Sequence, residues 1–177
     1  MSKQAIIMDG VTRAYPLFIV MYSFMNGLIN NNRENTVLGL ILLTSDILNN
    51  ILKHYIFLPF MGRASVPLLG MGSRPKNCKN SGLFKDGTIS NTYGMPSGHA
   101  QISWLFTTYW SLRIWHNKER TELSKIFALG LLCLSAGLVS YSRVYWAKCH
   151  TIQQVVVGGT IGIGLGGLSY HFRHAFF

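Results

Sequence analysis

Charged residues are scarce in this chain, and acidic residues are the scarcest. Asp, Glu, Lys and Arg make up 12% of the 177 residues, against 49% hydrophobic residues, and only six residues are acidic. Such a composition argues against an ordinary soluble domain. The shortage of carboxylates also argues against a magnesium site, which is built from several of them. We therefore expect no metal bound by carboxylates, and the sequence indicates no other cofactor.

Cysteine is rare as well. The chain has three, Cys78, Cys133 and Cys149. They form neither a Cys-x2-Cys pair nor a Cys-x5-Arg loop, which disfavours both a zinc site and a cysteine nucleophile. Cys133 lies in an apolar run, and we expect it to serve in packing.

Long uncharged runs dominate the chain. Residues 14–32, 126–142 and 151–170 carry no charge over 19, 17 and 20 residues, which is close to one bilayer crossing each. Residues 36–60 and 100–115 are nearly as apolar, with three charged residues between them. The sequence therefore predicts an all-α, integral membrane helical bundle with about five transmembrane helices.

The helices are expected to form one membrane-embedded domain over residues 1–177, because no repeat or low-complexity linker divides the chain. The first helix is expected to start near Arg13 and Pro16, behind an interfacial segment. A basic, structured loop at residues 61–95 joins the second and third helices. Three glycines recur every four residues in the last helix and predict a close-packing face, Gly158, Gly162 and Gly166.

The net charge of the chain is +10. On a membrane protein, this excess indicates anionic lipid or a phosphorylated substrate, although positive loops that set the membrane topology account for part of it. No nucleic-acid-binding module is visible, so nucleic acid is not an expected partner. The sequence leaves the oligomeric state open.

The tetrapeptide Pro96-Ser97-Gly98-His99 joins the polar loop to the apolar run that follows it. A small-residue turn at a helix start offers unpaired backbone N–H groups and the positive end of the helix dipole to an anion. The histidine adds a group that exchanges a proton near neutral pH. By itself, the turn is either an anion site or an ordinary helix entry.

Counting helices places the chemistry-bearing residues on one side of the membrane. The end of the second helix, the 61–95 loop, the start of the third helix and the link between the fourth and fifth share that side. Two histidines, three cations and the turn meet there: Lys53, Arg74, Ser97, Gly98, His99, Arg143 and His150. Such a set suits phosphoryl transfer, in which one histidine attacks phosphorus, the other protonates the leaving oxygen, and cations neutralise the phosphoryl oxygens. Cys78 and Cys149 share the side and either form a disulfide, if it is oxidising, or remain free.

Three motifs in this order resemble those of the type 2 phosphatidic acid phosphatase superfamily: Lys…Arg-Pro, Pro-Ser-Gly-His and Ser-Arg…His. The resemblance covers about residues 53–159. The members of this superfamily are metal-independent phosphatases of lipid phosphates and diphosphates with a helical bundle fold. The resemblance implies that His99 is the general acid and that His150 is the nucleophile, which forms a phosphohistidine. It implies phosphoryl binding by Lys53, Arg74, Ser97, Gly98 and Arg143.

Residues 93–101 and 150–154 are similar to those of dolichyl-diphosphatase-like members, which cleave polyprenyl diphosphates. The resemblance thus implies a polyprenyl diphosphate substrate and membrane lipids as partners. It also implies the endoplasmic reticulum or another endomembrane, with a lumenal or extracytoplasmic active site. The alternatives are a phosphatase of phosphatidate or another lipid monophosphate, and a non-catalytic lipid-phosphate binding or transport protein.

The spacing of the motifs departs from the family pattern in two places. Twenty residues lie between Lys53 and Arg74, far more than in the family, which leaves Arg63 as an alternative to Lys53. One extra residue lies between Arg143 and His150, and we expect the loop before His150 to absorb it.

The carboxylate that usually follows the nucleophile is also missing, since Gln154 stands in its place. An amide can orient the imidazole of His150 but supplies no charge. Asp46 lies two helical turns before Lys53 on the same face. It either pairs with Lys53 and tunes the site or makes a hydrogen bond in helix packing.

Overall fold

Five long helices and one short helix form the bundle in the part of the chain that the structure describes. The computed structural model describes residues 3–62, 65–76, 78–82, 85–89 and 93–175. The helices are Lys3–Ile29 (α1), Arg33–Ile51 (α2), Leu58–Met61 (α3), Gly98–Trp115 (α4), Glu122–Tyr145 (α5) and Ile152–His171 (α6). A π-helical stretch, Leu52–Phe57, joins α2 to α3 without a break, and a 3-10 turn, Phe172–Ala175, follows α6.

Polar side chains define where the helices begin. Asn32, Thr121 and Thr151 accept hydrogen bonds from backbone N–H groups in the first turns of α2, α5 and α6, as N-cap residues do. Ser97 occupies the same position before α4, but its side chain makes no capping bond. The first turn of α4 is thus entered by a cap residue whose hydroxyl does not serve the helix.

The start of α1 differs from the sequence prediction, which placed it near Arg13 and Pro16. The helix begins at Lys3 and continues through Pro16. A proline inside a helix removes one backbone hydrogen bond, here the one that the Thr12 carbonyl would accept. Thr12 Oγ1 donates to the carbonyls of Met8 and Asp9, at 2.9 and 3.1 Å. The segment expected to lie at the interface is therefore the first part of the helix.

The glycine face predicted on α6 packs directly on α4. A Cβ atom at Gly158, Gly162 or Gly166 would lie 2.4, 2.2 or 2.6 Å from a backbone carbonyl oxygen of Ser97, Gln101 or Leu105. Only glycine allows so close an approach of two helices. The α6 face therefore holds the Ser97 turn and the first half of α4 in place.

Two β-hairpins fill the loop between α3 and α4. The strands β1 (Ser65–Val66) and β2 (Gly70–Met71) pair antiparallel, and so do β3 (Lys79–Gly82) and β4 (Lys85–Ile89). A bridge between Ser73 and Tyr93 closes the loop before α4. This agrees with the structured loop expected at residues 61–95.

The outer surface of the bundle is that of an integral membrane protein. Three helical segments are long and apolar enough to cross a bilayer within the described part of the chain, at 33–61, 122–145 and 152–174. The helices α1 and α4 have 27 and 18 residues but are more polar, because their inward faces carry polar side chains such as Ser23 and Gln101. Cys133 corrects a sequence expectation, since it lies exposed on the outer face of α5 and does not pack inside the bundle.

Candidate active site

A cavity of about 460 Å³ opens between α1, α2 and α4 at the end of the bundle that carries the hairpins. Five of the seven sequence-predicted site residues line it: Lys53, Arg74, Gly98, His99 and His150. Ser97 is the buried residue that precedes Gly98, and Arg143 lies close enough for its charge to act on both histidines. Arg63, the alternative to Lys53, lies outside the described residues.

The long spacing between Lys53 and Arg74 is accommodated by an excursion of the chain. Lys53 lies on the π-helical stretch that extends α2, and π-helical turns are frequent at functional sites. The chain then completes α3, turns back through the β1–β2 hairpin and brings Arg74 to the same cavity. The inserted residues therefore lengthen the path between the two cations without separating them.

The Pro96-Ser97-Gly98-His99 turn is held between α2 and α6. The Ser97 N–H donates to the carbonyl of Gln154 at 3.0 Å, and the Ser97 carbonyl accepts from the Gln101 N–H at 3.0 Å. A Cβ atom at Gly98 would lie 3.0 Å from Asn49 Oδ1 on α2. These contacts fix the start of α4, so the end of its dipole faces the cavity in a single orientation.

A buried amide network beneath the turn was not predicted as part of the site. Gln101 Nε2 donates to the Ser45 carbonyl and hydroxyl, both at 2.9 Å, and Gln101 Oε1 accepts from Asn49 Nδ2 at 2.8 Å. All three residues are at most 3% exposed. Polar residues within the apolar runs of two helices are the sequence signal that identifies such a network, which holds α2 and α4 together below the turn.

The link between α5 and α6 brings Arg143 and His150 together. The N–H groups of Cys149 and His150 both donate to the Arg143 carbonyl, at 3.0 and 3.2 Å. The chain reverses at Lys148, which adopts a left-handed conformation with φ of 51°. A disulfide joins Cys149 to Cys78 with their Cα atoms 4.2 Å apart, so one of the two alternatives left by the sequence is realised. It ties the loop of Arg74 to the loop of His150.

Gln154 fixes the tautomer of His150. Its Nε2 donates to the carbonyls of Met71 and Ser73, at 2.6 and 2.9 Å, so its Oε1 must be the atom that lies 3.0 Å from His150 Nδ1. An amide oxygen only accepts, which assigns the proton of a neutral imidazole to Nδ1. His150 Nε2 then carries the lone pair.

Burial and the charges around His150 favour this neutral form. Burial, above all, and then the cations Arg74 and Arg143 hold the pKa of His150 well below its ordinary value of 6.5. His150 is therefore uncharged at neutral pH, which is the state that a nucleophile needs.

Several buried donors beside the histidines have no hydrogen-bond partner among the described residues. They are Arg74 Nε, Arg143 Nε and Nη1, and the Ser97 hydroxyl. Unsatisfied buried donors are rare in native proteins and costly. A group of them on cationic side chains fits an oxyanion with several acceptor oxygens, such as a phosphate.

Two acidic residues adjoin the cavity, and one of them was not predicted. Asp46 lines the cavity with Lys53, but seven residues of helix separate them by about 10 Å, and no ion pair joins them among the described residues. Asp9 forms an ion pair with Arg13 on α1, at 2.6 Å, and Arg13 lines the cavity too. The sequence signal for this pair is an acid and a base four residues apart in one helix.

The other end of the cavity is apolar. It is lined by Leu17 and Val20 of α1, Leu42 and Leu43 of α2, and Ile102 of α4. Leu17 and Leu43 are 55% and 46% exposed on the outer surface of the membrane bundle. The cavity thus has a cationic head beside the histidines and an apolar wall that reaches the lipid-facing surface.

Fold and site together define a membrane-embedded helical bundle in which two histidines line one cavity with Lys53 and Arg74. The family model of the PAP2 superfamily matches residues 35–177. The chain therefore belongs to this superfamily, which is the family that its motifs resemble.

Curated relatives of the chain carry the name dolichyldiphosphatase. The protein of Saccharomyces cerevisiae is 28% identical over 156 residues, which are 88% of this chain and 58% of the yeast protein. Dolichyldiphosphatase 1 of Homo sapiens is 39% identical over 82 residues, 42% of this chain and 34% of the human protein. This chain thus spans little more than half of the yeast relative and about a third of the human one. No solved structure matches the chain.

Proposed function

We propose that this protein hydrolyses a lipid diphosphate, preferably a polyprenyl diphosphate, without a metal ion and through a phosphohistidine. The observation that carries the proposal is the group of buried, unpartnered donors on Arg74, Arg143 and Ser97 beside a neutral His150. Dolichyldiphosphatase is the name of its relatives, and the apolar wall of the cavity suits a lipid chain.

The steps of the reaction follow from the roles of the two histidines. His150 Nε2 attacks the terminal phosphorus, and the bond from that phosphorus to the bridging oxygen breaks. His99, protonated at the start of the reaction, gives a proton to the bridging oxygen, so the lipid monophosphate leaves. Water then attacks the phosphohistidine and gives a proton to His99, which releases inorganic phosphate and restores both histidines.

The cations stabilise the transferring group. Lys53, Arg74 and Arg143 neutralise the phosphoryl oxygens as their charge shifts, and the backbone N–H groups at Ser97 and Gly98 add the positive end of α4. This donor set consists of nitrogen cations and hydroxyl or amide groups, which bind phosphate directly. On this basis, the proposal assigns no step to a metal.

The disulfide supports an assignment of the site to the lumenal or extracytoplasmic side, in the endoplasmic reticulum or another endomembrane. Cys78 and Cys149 lie at the cationic end of the bundle, and disulfides persist in oxidising compartments.

The test uses the purified protein in detergent with a chelator, a polyprenyl diphosphate or phosphatidate as the substrate, and phosphate release as the readout. We expect turnover of the diphosphate, no detectable turnover by His150→Ala, and a loss of about 10²- to 10⁴-fold for His99→Ala. His116→Ala is the control, because His116 is exposed at the opposite end of α4. An acid-labile phosphoryl label on the protein should be absent from His150→Ala. No turnover of either lipid would refute the proposal, and faster turnover of phosphatidate would refute the preferred substrate.

A further inference from the structure

Arg13 brings a fourth cation to the cavity from outside the family's matched region. It lies on α1, whereas the family model begins at residue 35, in α2. Arg13 lines the cavity together with Lys53 and Arg74. Of the cations near Arg143, Arg13 has the strongest electrostatic effect on its guanidinium. Cations held close together in a buried site repel one another, and an anion bound among them offsets this repulsion.

The side chain of Arg13 is held in place by its own helix. Asp9, one turn earlier, contacts its Nη2 at 2.6 Å, and the two side chains are 11% and 15% exposed. A guanidinium fixed in this way loses little further freedom when it binds a ligand, and its fork of N–H donors suits the paired oxygens of a phosphoryl group. The ion pair therefore orients Arg13 in the cavity.

The backbone of Arg13 also contacts the candidate general acid. It forms a hydrogen bond with the ring of His99. Arg13 consequently lies at the side of the site where His99 would protonate the leaving oxygen.

The order of residues along α1 indicates which part of the substrate Arg13 would meet. Beyond Arg13, the cavity wall on α1 is apolar, with Pro16, Leu17 and Val20. A substrate that lies along this wall has its lipid chain at Val20 and its terminal phosphoryl group at His150. Between the two lies the phosphoryl group that bears the lipid.

We propose that Arg13 binds the lipid-linked phosphoryl group of a diphosphate, so that the site discriminates diphosphates from monophosphates. The assignment rests on the proposed function and deepens it, since Arg13 would contact the leaving group and Asp9 would act as its positioning residue. A monophosphate has no second phosphoryl group at this point, so it gains nothing from Arg13.

The test compares the binding of two soluble anions, methylenediphosphonate and inorganic phosphate, by the rise in the unfolding temperature of the full chain in detergent. This measurement needs no turnover. In Arg13→Gln, the affinity for the diphosphonate should fall about 10- to 100-fold, with a much smaller effect on phosphate. Because Arg13→Gln leaves the buried Asp9 carboxylate unpaired, the double variant Asp9→Asn/Arg13→Gln is measured as well. Arg33→Gln, which removes the same charge from the exposed start of α2 at the other end of the bundle, is the matched control.

A selective loss of diphosphonate binding in both variants supports the assignment. An equal loss for both anions, or no loss for either, overturns it. Phosphate release from a polyprenyl diphosphate by the unmutated protein is measured alongside. If the protein releases none but the selective loss of binding is found, the proposed function fails and Arg13 stands as a diphosphate-binding residue. If it releases phosphate but binding is not selective, only the Arg13 assignment fails.

Discussion

Replacing Gln154 by glutamate should damage the protein, even though it restores the carboxylate that the family usually has near this position. The Gln154 side chain is fully buried. Its Nε2 donates to two backbone carbonyls, at 2.6 and 2.9 Å. In Gln154→Glu, a carboxylate oxygen would face both carbonyl oxygens, and the hydrogen bond that Gln154 Nε2 gives to each of them would be lost.

The magnitude follows from those two contacts. The two hydrogen bonds are part-buried and contribute about 0.5–1.5 kcal/mol each, so the variant should lose about 1–3 kcal/mol of unfolding free energy. For a chain of this size, that corresponds to a fall in the unfolding midpoint of roughly 2–12 °C. If the new side chain is protonated, its O–H can donate to one carbonyl. The deficit should therefore shrink as the pH falls towards about 4.3, the ordinary pKa of glutamate.

The assay is thermal unfolding in detergent, with phosphate release measured on the same samples. Gln153→Glu is the matched control, because it is the same chemical change at an exposed position one residue earlier, and it should have little effect on either quantity. A Gln154→Glu protein as stable and as active as the unmutated one would refute this reasoning. It would mean that the amide donors of Gln154 neither hold the β2 loop nor set the tautomer of His150.

Three further predictions concern stability. Since the pKa of folded His150 lies below 6.5, the unfolded state binds more protons as the pH falls below that value. This residue should then remove up to about 1.4 kcal/mol of stability per pH unit, and His150→Asn should flatten the dependence of the unfolding midpoint on pH. The Cys78→Ala/Cys149→Ala variant, which opens a link across 71 residues, should lose up to about 4 kcal/mol and become insensitive to reductant in thermal unfolding. In Gly162→Ala, the new Cβ would lie 2.2 Å from a carbonyl oxygen of α4, which should cost about 1–3 kcal/mol by the same measurement.

Each of these has a control within the chain. Cys133→Ala removes the exposed, unpaired thiol and should leave the unfolding midpoint unchanged. Gly164→Ala adds a methyl group where nothing lies within 4 Å, so equal destabilisation by Gly162→Ala and Gly164→Ala would contradict the packing argument. An unaltered pH profile in His150→Asn would show that His150 does not titrate as described.

The convergence of site residues could be predicted because it depends on chain order and on the number of crossings. The number of helices between them places four site residues on one side of the membrane: Lys53, Arg74, His99 and His150. The glycine face of α6 is predictable for a similar reason, since a spacing of four places its residues on one helix face. Local pattern and connectivity were sufficient for these features.

The rest of the site depends on packing that no local pattern encodes. Arg13 reaches the cavity because α1 begins ten residues or so earlier than its uncharged run and lies against α4. The pairing of Gln101 with Asn49 requires the rotation of two helices about their axes. Cys133 was expected in packing because its neighbours are apolar, but in a membrane an apolar face also points outward. Sequence hydrophobicity does not distinguish the inner face of such a helix from the outer one.

The apolar wall between α1 and α2 bears on how the concentration of a lipid substrate should be expressed. Leu17 and Leu43 lie on that wall and on the outer surface, so a lipid can enter sideways without leaving the bilayer. Under the proposed function, the rate then depends on the mole fraction of the substrate among the surrounding lipids and not on its amount per volume. Added inert detergent or phospholipid should slow turnover at constant bulk substrate, as in surface-dilution kinetics. Apparent KM values are therefore comparable only between membranes or micelles of known composition.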